Sequence, residues 1–293
     1  MNTDIRIAVC TNRSPAAVEE CLKALQEQAG AGSVVLVTSG LPEAEVAAHR
    51  EAFGGTVLAD PEPGLSRARN RALEAAGDVI AFVDDDAVVA DGWWDALRRR
   101  WDEAPADVAC IGGPIRPRYT VDPPPWFSEG IAHTLTLLDR GEQVRDLDPS
   151  EEAVYGANIS FRAAPLREVG AFDPSLGHSG SRVFFAEEDQ AQRALVRAGY
   201  RVRYVPDAAV WHVIGAERLR RGSFIRRRFA FGKALGMRRG RPRGLAARQV
   251  LSSGAGALAA AVTGRQALAM ERAVRAAENA GALYGSIRPR LIA

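Results

Sequence analysis

Three consecutive carboxylates, Asp84-Asp85-Asp86, close an unbroken apolar run, Val79-Ile80-Ala81-Phe82-Val83. Adjacent acids repel one another unless a cation shares them, and hard oxygen ligands suit magnesium or manganese. In an open α/β sheet, ligands gather at the carboxyl ends of strands, where this triplet falls. An acidic surface turn has the same sequence, so the triplet alone divides evenly between the two readings. A second acidic group, Glu187-Glu188-Asp189, begins a helical pattern. The helix dipole favours acids there whatever their function, and one of them could act as a general base if the fold carries it to the first cluster. His212 ends the strand-like Val210-Trp211-His212. A lone histidine in a strand is more often packed than ligating, and gains weight only from a metal site elsewhere. Pro63-Gly64-Leu65-Ser66-Arg67-Ala68-Arg69-Asn70 is a glycine turn opening a helix with two arginines. That combination suits a phosphate, or is an ordinary helix start capped by Ser66. Neither the dinucleotide fingerprint nor the P-loop pattern occurs.

The elements that must position these groups alternate regularly. Ile5–Cys10 reads as a strand, Val18–Gln28 as a helix, Ser33–Val37 as a buried strand and Pro42–Phe53 as a helix. A short strand at Thr56–Leu58, a helix from about Ser66 to Ala76 and the strand Val79–Val83 follow. This repetition predicts βαβ units and a parallel sheet, an α/β half-domain of nucleotide-binding type. Next come a helix at Trp93–Trp101, a strand at Val108–Ile111 and an irregular proline-rich stretch, residues 117–141, around Trp126. Tyr155–Phe161 reads as a strand, Pro165–Val169 as a short helix, and Ser179–Phe185 as a glycine-bounded loop. A helix at Glu187–Ala198, strands at Arg201–Val205 and Ala209–Val213, and helices beyond residue 215 complete the chain.

In 293 residues, 47 % apolar and 25 % charged, the balance is that of a soluble globular chain and excludes wholesale disorder. No apolar run approaches the ~18 residues that cross a bilayer, and the start, Met1-Asn2-Thr3-Asp4, has no leader pattern. Cys10, Cys21 and Cys110 have no metal-type spacing and read as reduced thiols. A cytoplasmic location is therefore expected. The net charge of +2 hides an asymmetry: residues 1–212 carry 21 Lys/Arg against 33 Asp/Glu, and residues 213–293 carry 17 against 3. Opposed halves predict a functional division and an anionic partner for the basic part.

The order of these motifs resembles glycosyltransferase family 2, the inverting enzymes of GT-A fold that use nucleotide-diphosphate sugars. The resemblance runs through "CTNR" (10–13), "GLSRARNRALEAAGDVIAFVDDDAVV" (64–89), "GWWDAL" (92–97), "YGANISFR" (155–162), "VGAFD" (169–173), "EED" (187–189) and "AGYRVRYVPDAAVWH" (198–212), about four-fifths of the chain. It implies a mainly parallel, Rossmann-like mixed sheet flanked by helices: a GT-A core at residues 1–212, divided into a nucleotide-binding half (1–90) and an acceptor-binding half (91–212), then a basic helical extension (213–293). It implies donor contacts from Thr11, Arg13, Arg69, Asp84, Asp85 and Asp86, and a magnesium or manganese ion held by Asp86 and His212. Asp189 matches the catalytic base, with Glu188 beside it. Trp126, Trp93 and Asn158 are expected to face the acceptor, a small molecule or a lipid-linked one.

Two features depart from the family pattern. The segment after the first strand is one residue shorter. The second strand ends Val37-Thr38-Ser39-Gly40, without the usual base-reading acid, which leaves base recognition to other groups such as Thr11 or Ser39. Eleven basic residues among residues 218–243, interleaved with Phe224, Phe229 and Phe231, read equally as an interfacial basic helix or as a core-facing aromatic stripe. A peripheral membrane contact and a homodimer contact both stay open for the extension. A nucleotidyltransferase would also use an acidic strand end and a cation, but would release pyrophosphate and need no base at Asp189. A nucleic-acid-binding protein would rest on the basic segment alone; the acidic core opposes that reading.

Overall fold

The computed structural model describes residues 3–174, 187–239 and 243–287. They form two compact units: residues 3–118, 138–174 and 187–213 in the first, and residues 119–137, 214–239 and 243–287 in the second.

The first unit begins with β1 (Ile5–Thr11), α1 (Pro15–Ala29), β2 (Val34–Ser39), α2 (Glu43–Ala52), β3 (Thr56–Asp60), α3 (Leu65–Leu73) and β4 (Val79–Val83). Every residue of β2 and β4 is buried, as strands covered on both faces must be. Helix α1 starts on Pro15 and buries Val18, Cys21, Leu22 and Leu25, a single stripe at helical spacing. The unit continues through β5 (Ala87–Val89), α4 (Trp93–Asp102), β6 (Val108–Gly112), β7 (Ile115–Tyr119), β8 (Arg145–Leu147), β9 (Asn158–Arg162), α5 (Ala163–Glu168), α6 (Glu187–Arg197), β10 (Arg201–Tyr204) and β11 (Val210–Ile214).

Eight strands make one sheet, in the order β3-β2-β1-β4-β9-β6-β10-β8. The pairs from β3 to β4 are parallel, β9 runs antiparallel to both β4 and β6, β10 is parallel to β6, and β8 is antiparallel to β10. The mixed, mainly parallel α/β architecture expected from the sequence is the one observed. A separate three-stranded sheet, β5-β11-β7, takes up the chain just after β4. Strands β5 and β8 did not stand out in the sequence because three residues are too few to show a period, and β7 because Pro117 at its centre argues against a strand. Part of the proline-rich stretch, Glu129–Leu135, is a short 3-10 helix.

The second unit contains α7 (Arg221–Arg239), α8 (Arg243–Val262) and α9 (Gln266–Ile287). Its apolar core gathers Trp126, Ile131 and Leu135 with Phe224, Met270 and Val274. Residues 119–137, assigned from the sequence to the acceptor half of the core, thus cluster with the C-terminal helices. Helices α7 and α9 lie backbone against backbone: a Cβ on Gly232 or Gly236 would collide with the carbonyls of Glu278 or Ala282, and one on Gly281 or Gly285 with those of Phe229 or Lys233. Among the described residues no helix is long and apolar enough to cross a membrane.

Candidate active site

Strand β4 delivers the three carboxylates at its carboxyl end, and a turn closed by the Ala87 amide on the Asp84 carbonyl (3.0 Å) leads into β5. Pairing of β5 with β11 sets His212 opposite Ala87. The Val213 amide donates to the Asp86 carbonyl (2.9 Å), and His212 Nε2 lies 3.4 Å from Asp86 Oδ1. His212 is buried, so Asp86 and His212 meet because the three-stranded sheet forces them together. On the other side, the Thr11 hydroxyl at the end of β1 donates to Asp85 Oδ2 (2.5 Å), and Arg13 lies 3.5 Å from Asp85 Oδ1. The Arg13 amide donates to the Thr11 hydroxyl (3.0 Å), which fixes the segment that is one residue short.

Arg69, on α3, ties the acids of β4 to those of α6. Its side chain is 3 % exposed. Nη1 donates to Glu187 Oε1 (2.8 Å) and reaches Glu188 Oε2 (3.5 Å), and Nη2 lies 3.8 Å from Asp84 Oδ1. The guanidinium sits 5.7 Å and 5.6 Å from the ring centres of Phe82 and Phe172, within cation–π range. Asn70, the next residue, donates to the Phe172 carbonyl (2.7 Å) and accepts from its amide (3.0 Å), which holds that ring in place. Burial opposes the charge on Arg69, but Glu188, Glu187 and Asp84 more than offset it, and its pKa is raised. Withdrawal from water also pushes the Asp84 carboxyl up; Arg69 opposes the rise, and Asp86 and Asp85 add to it. For Asp85 burial raises the pKa against the hydrogen bond from Thr11. Cys10 shares this environment, and burial pushes its thiol up to about 12. It remains a neutral thiol among charges.

Helix α6 carries its three acids to different partners. Glu187 is buried against Arg69. Glu188 Oε1 accepts from the Gly156 amide (3.4 Å). Asp189 Oδ1 accepts from Arg193 Nε, one turn along the helix (3.1 Å). Gln192 stitches the helix down through the amide and carbonyl of Val154 (3.0 and 2.9 Å). Thr11, Arg13, Arg69, Asp84, Asp85, Asp86, Glu188 and His212 thus belong to one linked set.

Trp93, Asn158 and Trp126 do not join it. Trp93 Nε1 donates to Asn158 Oδ1 (3.1 Å), and Asn158 Nδ2 donates to the carbonyls of Pro114 and Ala208 (3.0 and 2.7 Å), all in the interior. These two side chains brace β9 against the loops on either side. Trp126 belongs to the core of the second unit, edge-on to Phe224 at 5.3 Å. Ser39 accepts from the Gly64 amide (3.0 Å) and so holds the loop before α3. The loop Ser179–Phe185 lies outside the described residues. Two site residues escaped the sequence reading, Glu187 as the partner of Arg69 and Gly156. Both lie inside motifs already noted, but 118 residues separate Arg69 from Glu187, and no local pattern predicts that pairing.

Among the described residues no three His, Cys, Asp or Glu side chains converge as a complete cation cage. Asp86 and His212 instead offer one carboxylate and one imidazole beside two further acids. That set fits magnesium or manganese bound by few protein ligands, with substrate phosphates completing the coordination.

Comparison with known proteins follows the same lines. The chain is 31 % identical over 160 residues to the glucosyl-dolichyl phosphate glucuronosyltransferase of Haloferax volcanii, covering 52 % of this chain and 49 % of that protein. It therefore spans about half the length of that relative. It is 29 % identical over 244 residues to the succinoglycan biosynthesis protein ExoM of Rhizobium meliloti, covering 79 % and 74 % of the two chains. In structure it is similar to a mannosyltransferase from Pyrobaculum calidifontis in complex with GDP-Man and Mn2+ (TM-score 0.56, 20 % identity, 78 % of this chain and 62 % of that one). It is also similar to GalNAc-T7 with UDP, GalNAc and Mn2+ (TM-score 0.52, 14 % identity, 72 % and 44 %). At these identities the structural likeness is one of fold, the GT-A fold. The model for glycosyl transferase family 2 matches residues 7–170, more than half of the sequence, from within β1 to beyond β9, and the chain belongs to that family.

Proposed function

We propose that the chain is a metal-dependent, inverting glycosyltransferase that moves a sugar from a nucleotide-diphosphate sugar to an acceptor hydroxyl. The observation that carries this reading is the buried Arg69, which holds Asp84 at the end of β4 together with Glu187 and Glu188 at the start of α6, so that Asp189 follows them on the same helix turn. A donor-holding group and a proton acceptor at one sheet end are what a single displacement needs. In this reading residues 1–212, apart from 119–137, are the catalytic core, 1–90 serving the donor and the rest the acceptor, and residues 213–293 are a basic extension.

Thr11, Arg13, Asp84 and Asp85 flank the donor nucleoside. Asp86 and His212 hold the divalent cation, which when bound neutralises charge on the diphosphate. Three carboxylates would otherwise repel that anion. Asp189 takes the proton from the acceptor hydroxyl as its oxygen bonds to the anomeric carbon, and the bond to the diphosphate oxygen breaks on the opposite face. One such displacement inverts the anomeric configuration. Glu188 is engaged by Arg69 and the Gly156 amide, which suits it to position α6, whereas Asp189 pairs with Arg193 one turn along the helix. The name of the Haloferax relative puts a lipid-linked sugar phosphate first among acceptors to try, with soluble hydroxyl compounds second.

The test begins with melting temperatures of the protein against nucleoside diphosphates and sugar nucleotides, with and without manganese. A ligand selective for the native state raises the transition, and a manganese-dependent rise with one nucleotide names the base. Asp189→Asn should keep that rise and lower turnover about 10²–10⁴-fold, the usual contribution of a general base. Equal loss of donor binding and turnover would remove Asp189 from that role, and pyrophosphate release would replace the transferase with a nucleotidyltransferase.

A further inference from the structure

Helix α8 has an outer face that no other described residue covers. From Leu251 to Val262 no side chain is charged. Leu251, Leu258 and Val262 are 73 %, 69 % and 81 % exposed, and with the exposed Ala255 they fall at i, i+4, i+7 and i+11, one stripe of a helix. The opposite side is already used. Ala260 is buried, Gly256 and Ala257 are half-buried, and Arg272 of α9 donates to the Gly256 carbonyl (2.8 Å). The helix is thus apolar on both faces, a pattern that belongs to a buried helix, and a contiguous exposed apolar patch marks an interaction surface.

Charge says what covers it. Residues 213–293 hold 17 basic residues against 3 acidic, and α8 contains no acid. Arg248 and Arg265, both exposed, bracket the stripe at its two ends. A second copy of the same face would bring two arginine-flanked stripes together with no acid on either α8 helix to offset the charge. An anionic bilayer surface matches both features, since apolar side chains enter the acyl boundary while arginines meet lipid phosphates. We propose that the outer face of α8 docks on an anionic lipid surface, with the helix lying in the interface and not crossing it.

The test uses the full chain and vesicles of phosphatidylcholine, alone or mixed with phosphatidylglycerol. Sedimentation should carry the protein down with the mixed vesicles, and much less with the neutral ones or at high salt. Leu251→Glu with Leu258→Glu should weaken that binding by about tenfold or more, with circular dichroism and melting temperature unchanged because both positions are exposed. Leu251→Gln with Leu258→Gln, which adds no charge, should weaken it in the same direction. Absence of binding to the mixed vesicles would overturn the proposal, as would equal binding to neutral ones or binding that the glutamates do not alter. A native dimer that the glutamates split into monomers, read by light scattering, would assign the face to a second copy. Vesicle binding is measured without turnover, so this proposal and the transferase reading fail separately.

Discussion

A Cβ on Gly156 would occupy the space that Nη2 of Arg69 fills. The same glycine donates its amide to Glu188, so it serves the ion cluster twice, by lacking a side chain and by offering an N–H. Gly156→Ala should push the guanidinium off its carboxylates, lowering stability by about 1–3 kcal/mol, as overpacking of a close contact does. Urea unfolding would measure the change, and turnover should fall with it. An alanine variant of wild-type stability and activity would show that Arg69 has room to move. At the end of β4, Asp86→Ala removes one of the two residues proposed to hold the cation. The manganese-dependent rise in melting temperature with a nucleoside diphosphate should then vanish, and an unchanged rise would take Asp86 out of the metal site. The candidate groups were legible in the residues themselves, because acids after an apolar strand and a histidine after another are local patterns. Which groups only brace the fold was not. Trp93 and Asn158 look as available as any polar pair until the interior network of β9 is seen.

Helices α7 and α9 show how an element is specified by what it lacks. Gly232, Gly236, Gly281 and Gly285 let two backbones approach so closely that carbonyls occupy the positions of the missing Cβ atoms. In a lone helix each glycine costs about 1 kcal/mol relative to alanine, and the approach it permits offsets this through packing. Gly281→Val should force the helices apart and destabilise the second unit by about 1–3 kcal/mol or more, with helix content retained and thermal unfolding moved to lower temperature. An unshifted transition would mean that the packing tolerates the added volume. The strands β1, β2 and β4 and the helices between them were readable because their periods are long enough to register. Strands β5 and β8 were too short and β7 was obscured by Pro117, although β5 and β11 together set His212 beside Asp86.

Across the whole molecule charge is divided, net −12 in residues 1–212 and net +14 in residues 213–293. The acidic part contains the candidate site, and the basic part contains α7, α8 and α9. The C-terminal helices do more than extend the chain, because Met270 and Val274 of α9 share a core with Trp126, Leu135 and Phe224. Deleting residues 245–293 should therefore expose that core, giving soluble aggregates and strong binding of an apolar dye in light-scattering and fluorescence measurements. A well-behaved truncated monomer with native melting would show that the cluster is dispensable.

The sequence alone determined the α/β class, the family resemblance, the acids at the end of β4 and the basic character of the C-terminal part. Each follows from local order, periodicity or composition, which a linear chain carries openly. Tertiary structure decided that Glu187, 118 residues from Arg69, is its buried partner, and that Trp126 fills a core. It also decided that, among the described residues, the apolar stripe of α8 is left uncovered. These are outcomes of packing between distant segments, where burial and close approach select one pairing among many that the sequence permits.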